Sequence, residues 1–228
     1  MAKRNLKPKA VVLDLDDTIA DFCGDLCWIH NWKNGTRVTK HDIKDWDFET
    51  LKVTDRNGNE VVGEDLRKTF EYWEDHGLYG DLPLLSKAKD AVAVMRDFGY
   101  KIILLTARAK KFEDETELYL KRKGIYYDYI YFKENPEEKH FKTKKIKQLS
   151  KEFNIQMFAD DKYETVEDVA ENTNVNIACL LETASTRELK TIEGDQQNRL
   201  EQNENIHKFI DLYDATKLLK DLRPKEEA

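Results

Sequence analysis

Val11-Val12-Leu13-Asp14-Leu15-Asp16-Asp17-Thr18 is the stretch that decides the fold. With Ala10 it opens as a short apolar run of branched residues. That is the composition of a strand covered on both faces in a parallel sheet. The run then meets three acids within four residues, Asp14, Asp16 and Asp17. Carboxylates are not buried without partners, so this cluster belongs at the strand's C-terminal end, facing solvent or a cation. Open α/β sheets bind their ligands at that end. Two carboxylates one residue apart, followed by the Thr18 hydroxyl, are hard oxygen ligands of the kind Mg²⁺ takes. Taken alone, the same residues also describe a strand that ends in an acidic turn.

Further along, strands and helices alternate. Pro83 precedes a helix from Ser86 to Phe98, with Ser86 read as its N-cap and Gly99 as its stop. Lys101 to Leu105 is a second buried strand, leading into Thr106-Ala107-Arg108. A helix over 112–123 closes at Gly124, a third strand covers 129–132, and a basic helix runs from Lys142 to Phe153. Ile155 to Ala159 is a fourth strand ending in Asp160-Asp161, followed by a helix from Tyr163 and a fifth strand over 175–181. This pattern predicts an α/β, Rossmann-like three-layer core with a parallel sheet and right-handed crossovers.

Two stretches depart from the alternation. Residues 20–82 hold a helix over 20–32, an irregular stretch with a turn at Asn57-Gly58, and a helix over 64–75; all four tryptophans fall here. The segment reads as a helical cap inserted after the first strand, dividing the chain into a core of 1–19 and 83–228 and a cap of 20–82. Residues 182–205 are polar and nearly free of large apolar side chains, which reads as a flexible connection. Ile206, Phe209, Leu212 and Leu218 then suggest a final strand or helix docked on the core.

Composition narrows the function classes. Of 228 residues, 36% are charged and 40% hydrophobic, enough for a core under a heavily solvated surface. The net charge of −7 gives no global basic field for nucleic acid or an anionic membrane. Cys23, Cys27 and Cys179 form neither a disulfide framework nor a zinc pattern, so a reducing cytoplasm is the expected compartment. No run has signal-peptide or membrane-spanning character.

Three strands end in chemistry: Asp14, Asp16 and Thr18 after the first, Thr106 and Arg108 after the second, Asp160 and Asp161 after the fourth. In a parallel sheet these ends share one rim. The lysine-rich segment Lys139-His140-Phe141-Lys142-Thr143-Lys144-Lys145 precedes the fourth strand. Acids, a hydroxyl and an ammonium around one point suit a phosphate held with Mg²⁺. A carboxylate is also a nucleophile used in phosphoryl transfer, once cations cancel the repulsion between the two anions.

At this level the chain resembles the haloacid-dehalogenase-like superfamily, through four motifs in order over residues 10–181. Asp14-Leu15-Asp16-Asp17-Thr18 fits its D-x-D-x-T motif, Leu104-Leu105-Thr106-Ala107-Arg108 the second, a lysine near 142 the third, and Asp160-Asp161 the fourth. The resemblance implies Asp14 as nucleophile and metal ligand, and Asp16 as acid–base group that also offers its backbone carbonyl to Mg²⁺. It implies Thr106 and Lys142 around the phosphoryl group, with Asp160 and Asp161 completing the metal shell. Lys139 and Lys144 are the alternatives to Lys142. Thr18, Phe22, Ala107 and Arg108 are the expected substrate contacts.

Two subgroups look similar. The 5′(3′)-deoxyribonucleotidases share the insertion after the first motif and a stretch like Gly77-Leu78-Tyr79-Gly80-Asp81-Leu82-Pro83-Leu84. The phosphatase domain of phage-type polynucleotide kinase-phosphatases is similar around Phe153 to Lys162. The length of the insertion favours the first, which implies a (deoxy)nucleoside monophosphate as substrate; a polynucleotide 3′ or 5′ end is the alternative. A phosphate- or protein-binding module without turnover is the reading of another class, and the pair Asp14 and Asp16 argues against it. In the cap, Phe22 is singled out for stacking on a base, while most of the other rings, with Cys23 and Cys27, are expected in the cap's own core. His30, His41 and His76 are expected at the surface or in the cap.

Overall fold

The computed structural model describes residues 7–43, 51–55, 57–181 and 203–222. In chain order the elements are β1 (Lys9–Leu13), α1 (Phe22–Asn34), β2 (Lys52–Thr54), β3 (Glu60–Val62), α2 (Gly63–Asp75), a 3₁₀ turn (Leu78–Gly80) and α3 (Ala88–Asp97). Then follow β4 (Lys101–Ala109), α4 (Glu113–Lys123), β5 (Tyr129–Lys133), α5 (Phe141–Leu149), β6 (Asn154–Asp160), α6 (Tyr163–Asn172), β7 (Ile177–Leu181), β8 (Ile206–Phe209) and α7 (Leu212–Leu222).

Six strands form one sheet in the order β5-β4-β1-β6-β7-β8, every pair parallel. β1 is central because its run is apolar on both sides. Val11 and Leu13 pack into a core with α1, α2, α3, α4 and α7, while Ala10 and Val12 pack into a second core with α5 and α6. β4 divides the same way, Ile102 and Leu104 against Ile103 and Leu105. This is the three-layer α/β architecture the alternation predicts. From β1 the chain runs outward through β4 and β5, then returns to lay β6 on the other side of β1. The order of strands therefore reverses beside β1, and a crevice opens at the strands' C-terminal ends.

β6 carries one irregularity that matters for the site. Ala10 pairs with Ile155 but Val11 pairs with Met157, so Gln156 is an extra residue. A bulge shifts the alternation by one: Ile155 and Phe158 face the α5–α6 core, whereas Met157 and Ala159 face the other. Asp160 thereby follows Phe158 in parity and comes to the same face as Asp14, which follows Val12. The bulge is held by Gln156 itself, which is buried, donates to Asn154 Oδ1 at 2.8 Å and accepts from Asn176 Nδ2 at 3.0 Å.

Several expectations change. β2 and β3 form an antiparallel hairpin, with Gly58 at φ 88° in its turn. Their three-residue length and exposed alternate positions hide them in the sequence. Ser86 is not the cap of α3; Lys87 takes that place at φ 60°, with its ammonium 3.0 Å from Asp211 Oδ2. β4 continues through Thr106 and Arg108 rather than ending before them, and α5 stops at Leu149 rather than Phe153. The C-terminal segment is both strand and helix. His30, read as a surface or cap residue, is buried in α1, 2.7 Å from Thr69 Oγ1. Residues 182–202, most of the stretch read as a flexible connection, lie outside the described residues, as do Trp46 and Phe48. Among the described residues no helix is long and apolar enough to cross a membrane.

Candidate active site

The loop after β1 is built by its own acids. Asp14 N–H donates to Ala159 O at 2.9 Å, tying the loop to β6. Asp17 sits at φ 53°, a left-handed conformation that Asp tolerates better than most residues. Its Oδ1 accepts from Cys23 N–H at 2.9 Å, in the first turn of α1. One acid of the three is thus structural, which leaves Asp14 and Asp16 for chemistry.

Asp14, Asp160 and Asp161 bring carboxylate oxygens within 4.8 Å of one another, all three side chains buried. Lys142 reaches in from α5, with Nζ 2.7 Å from Asp14 Oδ1 and 2.7 Å from Asp160 Oδ2. Asp160 Oδ1 also accepts from Lys162 N–H at 2.8 Å. Burial pushes the Asp14 carboxyl up to about 7. The Lys142 ammonium pulls it down, and the charges of Asp160 and Asp16 add to the rise. Burial alone would lower the Lys142 pKa, but the two carboxylates more than reverse this, so the ammonium stays charged. Three hard oxygen donors crowded in low dielectric, with one carboxyl resisting ionisation, form a set that a divalent cation would relieve. The residues fit Mg²⁺.

Asp16 belongs to a different cluster. Arg108 Nη2 lies 2.6 Å from its Oδ1 and Arg108 Nε 2.9 Å from its Oδ2. The guanidinium is buried, donates to Thr116 Oγ1 at 3.1 Å and lies 4.3 Å from the Tyr79 ring centre. Burial opposes its charge, yet Asp16 raises its pKa overall. Tyr79 OH in turn donates to Glu74 of α2 at 3.2 Å. A chain of contacts therefore runs from α2 to Asp16.

Asp14, Asp16, Phe22, Ala107, Arg108, Lys142 and Asp161 all line one cleft of about 1020 Å³. Thr18, Thr106 and Asp160 are buried and do not line it. Thr106 Oγ1 accepts from Arg108 N–H at 3.1 Å, turning the strand end toward the cleft. Phe22 is 4% exposed and meets Phe70 and Trp73 edge-on at 5.8 and 5.1 Å, so its ring packs in the core with only an edge on the cleft. Of the three candidate lysines, only Lys142 touches the acid cluster; Lys139 lines the cleft, and Lys144 pairs with Glu138 at 3.3 Å.

A structure described as a phosphonoacetaldehyde hydrolase-like protein from Oleispira antarctica superposes with TM-score 0.59 at 14% identity, covering 98% of this chain and 96% of that one. A haloacid dehalogenase-like family hydrolase from Streptococcus pneumoniae gives 0.57 at 13% identity, over 94% and 98%. The chain has the haloacid-dehalogenase-like fold. Within that fold the four sequence segments converge on one rim. A chain of the Pnkp1/Rnl/Hen1 RNA repair complex is similar at 17% identity and TM-score 0.42 over 71% of this chain, which spans 39% of its length. A family model for the PITM 1-3 LNS2 domain matches residues 73–179, just under half of the chain. No curated protein matches it.

The sequence did not single out Tyr79, Thr116, Gln156 or Asp168. Tyr79 and Gln156 carried only the signal of their place in the Gly77–Leu84 and Phe153–Lys162 stretches, and Thr116 carried none. Asp168 contacts the start of α5, through His140 and Thr143.

Proposed function

We propose that the chain is a Mg²⁺-dependent phosphatase for phosphomonoesters, working through an aspartyl-phosphate on Asp14, with a (deoxy)nucleoside monophosphate as substrate. The observation that carries this is Lys142 Nζ at 2.7 Å from both Asp14 and Asp160, in the cleft that Asp16 also lines. A nucleophilic carboxylate needs cations beside it before it can approach a phosphate dianion. Here one cation is built in, and the acid cluster suits a second.

Asp14, Asp160 and Asp161, with the Asp16 backbone carbonyl, would hold Mg²⁺, which when bound draws charge from the phosphate oxygens. An Asp14 oxygen attacks phosphorus, and the bond from phosphorus to the leaving oxygen breaks. Asp16 gives that oxygen a proton. In the second half, Asp16 takes a proton from water; the water oxygen bonds to phosphorus, the bond to Asp14 breaks, and inorganic phosphate leaves. Arg108 orients Asp16 for these transfers, and its hold on the charged carboxylate suits the second half. Lys142 binds the transferring phosphoryl oxygens, and Thr106 shapes the strand end beside them.

The cleft is large enough for a nucleoside, and the segment from α1 to the 3₁₀ turn supplies one wall through Phe22, Phe70 and Tyr79. A polynucleotide end is the second reading. Lys111, Lys139 and Lys162 line the same cleft, and among the described residues none has a carboxylate within salt-bridge reach. Neighbouring backbone phosphates would suit them. The test is phosphate release with Mg²⁺ from nucleoside monophosphates, sugar phosphates and oligonucleotides phosphorylated at either end. Faster turnover of monophosphates supports the first reading; faster, salt-sensitive turnover of oligonucleotide ends replaces it with the second. Release from none of them removes the phosphatase.

A further inference from the structure

α5 starts poorly on its own. Its N-cap, His140, sits at φ 56° and makes no side-chain hydrogen bond to the helix. A residue with a Cβ enters that region at a cost of about 1–2 kcal/mol. The first turn carries Lys142 and no acid, so the positive end of the helix dipole meets a positive side chain. A helix beginning this way frays in its first turn unless something outside holds it. That turn is the one that must keep the Lys142 ammonium between Asp14 and Asp160.

The hold comes from α6. Asp168 Oδ2 accepts a hydrogen bond from Thr143 Oγ1 and lies 3.0 Å from His140 Nδ1. Its Oδ1 accepts from Asn172 Nδ2 at 3.0 Å, which fixes the carboxylate on its own helix. Thr143 is buried, so its hydroxyl would otherwise lack a partner. The carboxylate thus supplies the negative charge the α5 terminus lacks, and it braces the left-handed residue and the first-turn hydroxyl together. β6 ends at Asp160 and α6 begins at Tyr163, so only a two-residue connection separates the acid cluster from the helix that carries the brace.

We propose that Asp168 is a positioning residue: by clamping His140 and Thr143 it fixes the first turn of α5 and so places the Lys142 ammonium. The proposal rests on the phosphatase reading only for its effect on turnover. The clamp acts through Lys142, so its loss should act through Lys142 as well.

The experiment compares Asp168→Ala, Thr143→Val, Thr143→Ser and Lys142→Ala, alone and as the Asp168→Ala/Lys142→Ala pair. Each is assayed for kcat and KM on a phosphomonoester that the wild type hydrolyses and for backbone hydrogen exchange. A displacement of about an ångström costs up to about 100-fold, so Asp168→Ala and Thr143→Val should lower kcat by about 10- to 100-fold, and Thr143→Ser should restore it. The double variant should be no slower than Lys142→Ala alone. Exchange in Asp168→Ala should quicken over residues 139–146 and stay unchanged over β6. A kcat within about twofold of wild type, a loss that multiplies with that of Lys142→Ala, or unchanged exchange at the start of α5 would each overturn the clamp. A wild type that hydrolyses nothing removes the phosphatase reading instead, and the exchange measurement still decides the clamp.

Discussion

Arg108 grips Asp16 with two parallel hydrogen bonds, Nη2 to Oδ1 at 2.6 Å and Nε to Oδ2 at 2.9 Å, from a side chain that is 1% exposed. Lysine cannot reproduce this fork. Arg108→Lys should therefore lower kcat by about tenfold or more while leaving the fold intact. Arg108→Ala, which removes both hydrogen bonds to the Asp16 carboxylate, should also destabilise the protein, by about 1–3 kcal/mol, because that carboxylate still reaches the cleft. Steady-state kinetics and urea unfolding check the two parts. Normal kcat in Arg108→Lys would mean that the fork does not orient Asp16.

Asp14 links chemistry to stability. Its carboxyl pKa is raised by burial to about 7, against 3.8 for an ordinary aspartate. A raised acid pKa adds stability below about pH 4, and that contribution is lost as pH rises through about 7. Without divalent metal, the wild type should therefore weaken between about pH 4 and 7 relative to Asp14→Asn, by on the order of a few kcal/mol at most. Thermal melts of both proteins in chelator across that range make the comparison. Parallel curves would show that Asp14 is ionised throughout.

Metal should reverse that loss. Ligand carboxylates bind as anions, so Mg²⁺ affinity should rise with pH as Asp14 ionises. At about 100 times its Kd, the ion should add about 2.7 kcal/mol, which for a chain of this size is a rise in Tm of roughly 5–10 °C. Asp161→Ala should abolish most of the shift. Equal shifts in wild type and Asp161→Ala would place the ion elsewhere.

Phe22 tests the division between core and substrate contact. Its ring packs edge-on between Phe70 and Trp73, so Phe22→Ala should cost about 3–5 kcal/mol of stability. The ratio of KM for a nucleotide to KM for a phosphomonoester without a base should stay nearly constant in the milder Phe22→Leu. A selective rise for the nucleotide would make Phe22 a base contact after all.

Much of this was legible in the chain because it is local. The apolar run before Asp14 marks the central strand, and Gly124 at φ 67° stops α4 where the glycine stands. The rim position of Asp14, Thr106 and Asp160 follows from parallel strands alone. What was hidden depends on contacts that residue spacing does not encode. Arg108 reads as a substrate contact until its Asp16 partner is seen, 92 residues away in sequence. Phe22 looks free because it follows the catalytic loop, yet α2 folds over it. The Gln156 bulge adds one polar residue to β6, which reads as an ordinary outward position of the strand, and so conceals the parity change that brings Asp160 to Lys142. Asp168 carries no signal beyond being one of many acids.

The most direct measurement is phosphate release, with Mg²⁺, from a panel of phosphomonoesters by the wild type and by Asp14→Asn under identical conditions. Metal-dependent catalysis by Asp14 predicts release by the wild type that stops in chelator, and a fall of about 10⁴-fold or more in a folded Asp14→Asn protein. Turnover in Asp14→Asn equal to that of the wild type would contradict it.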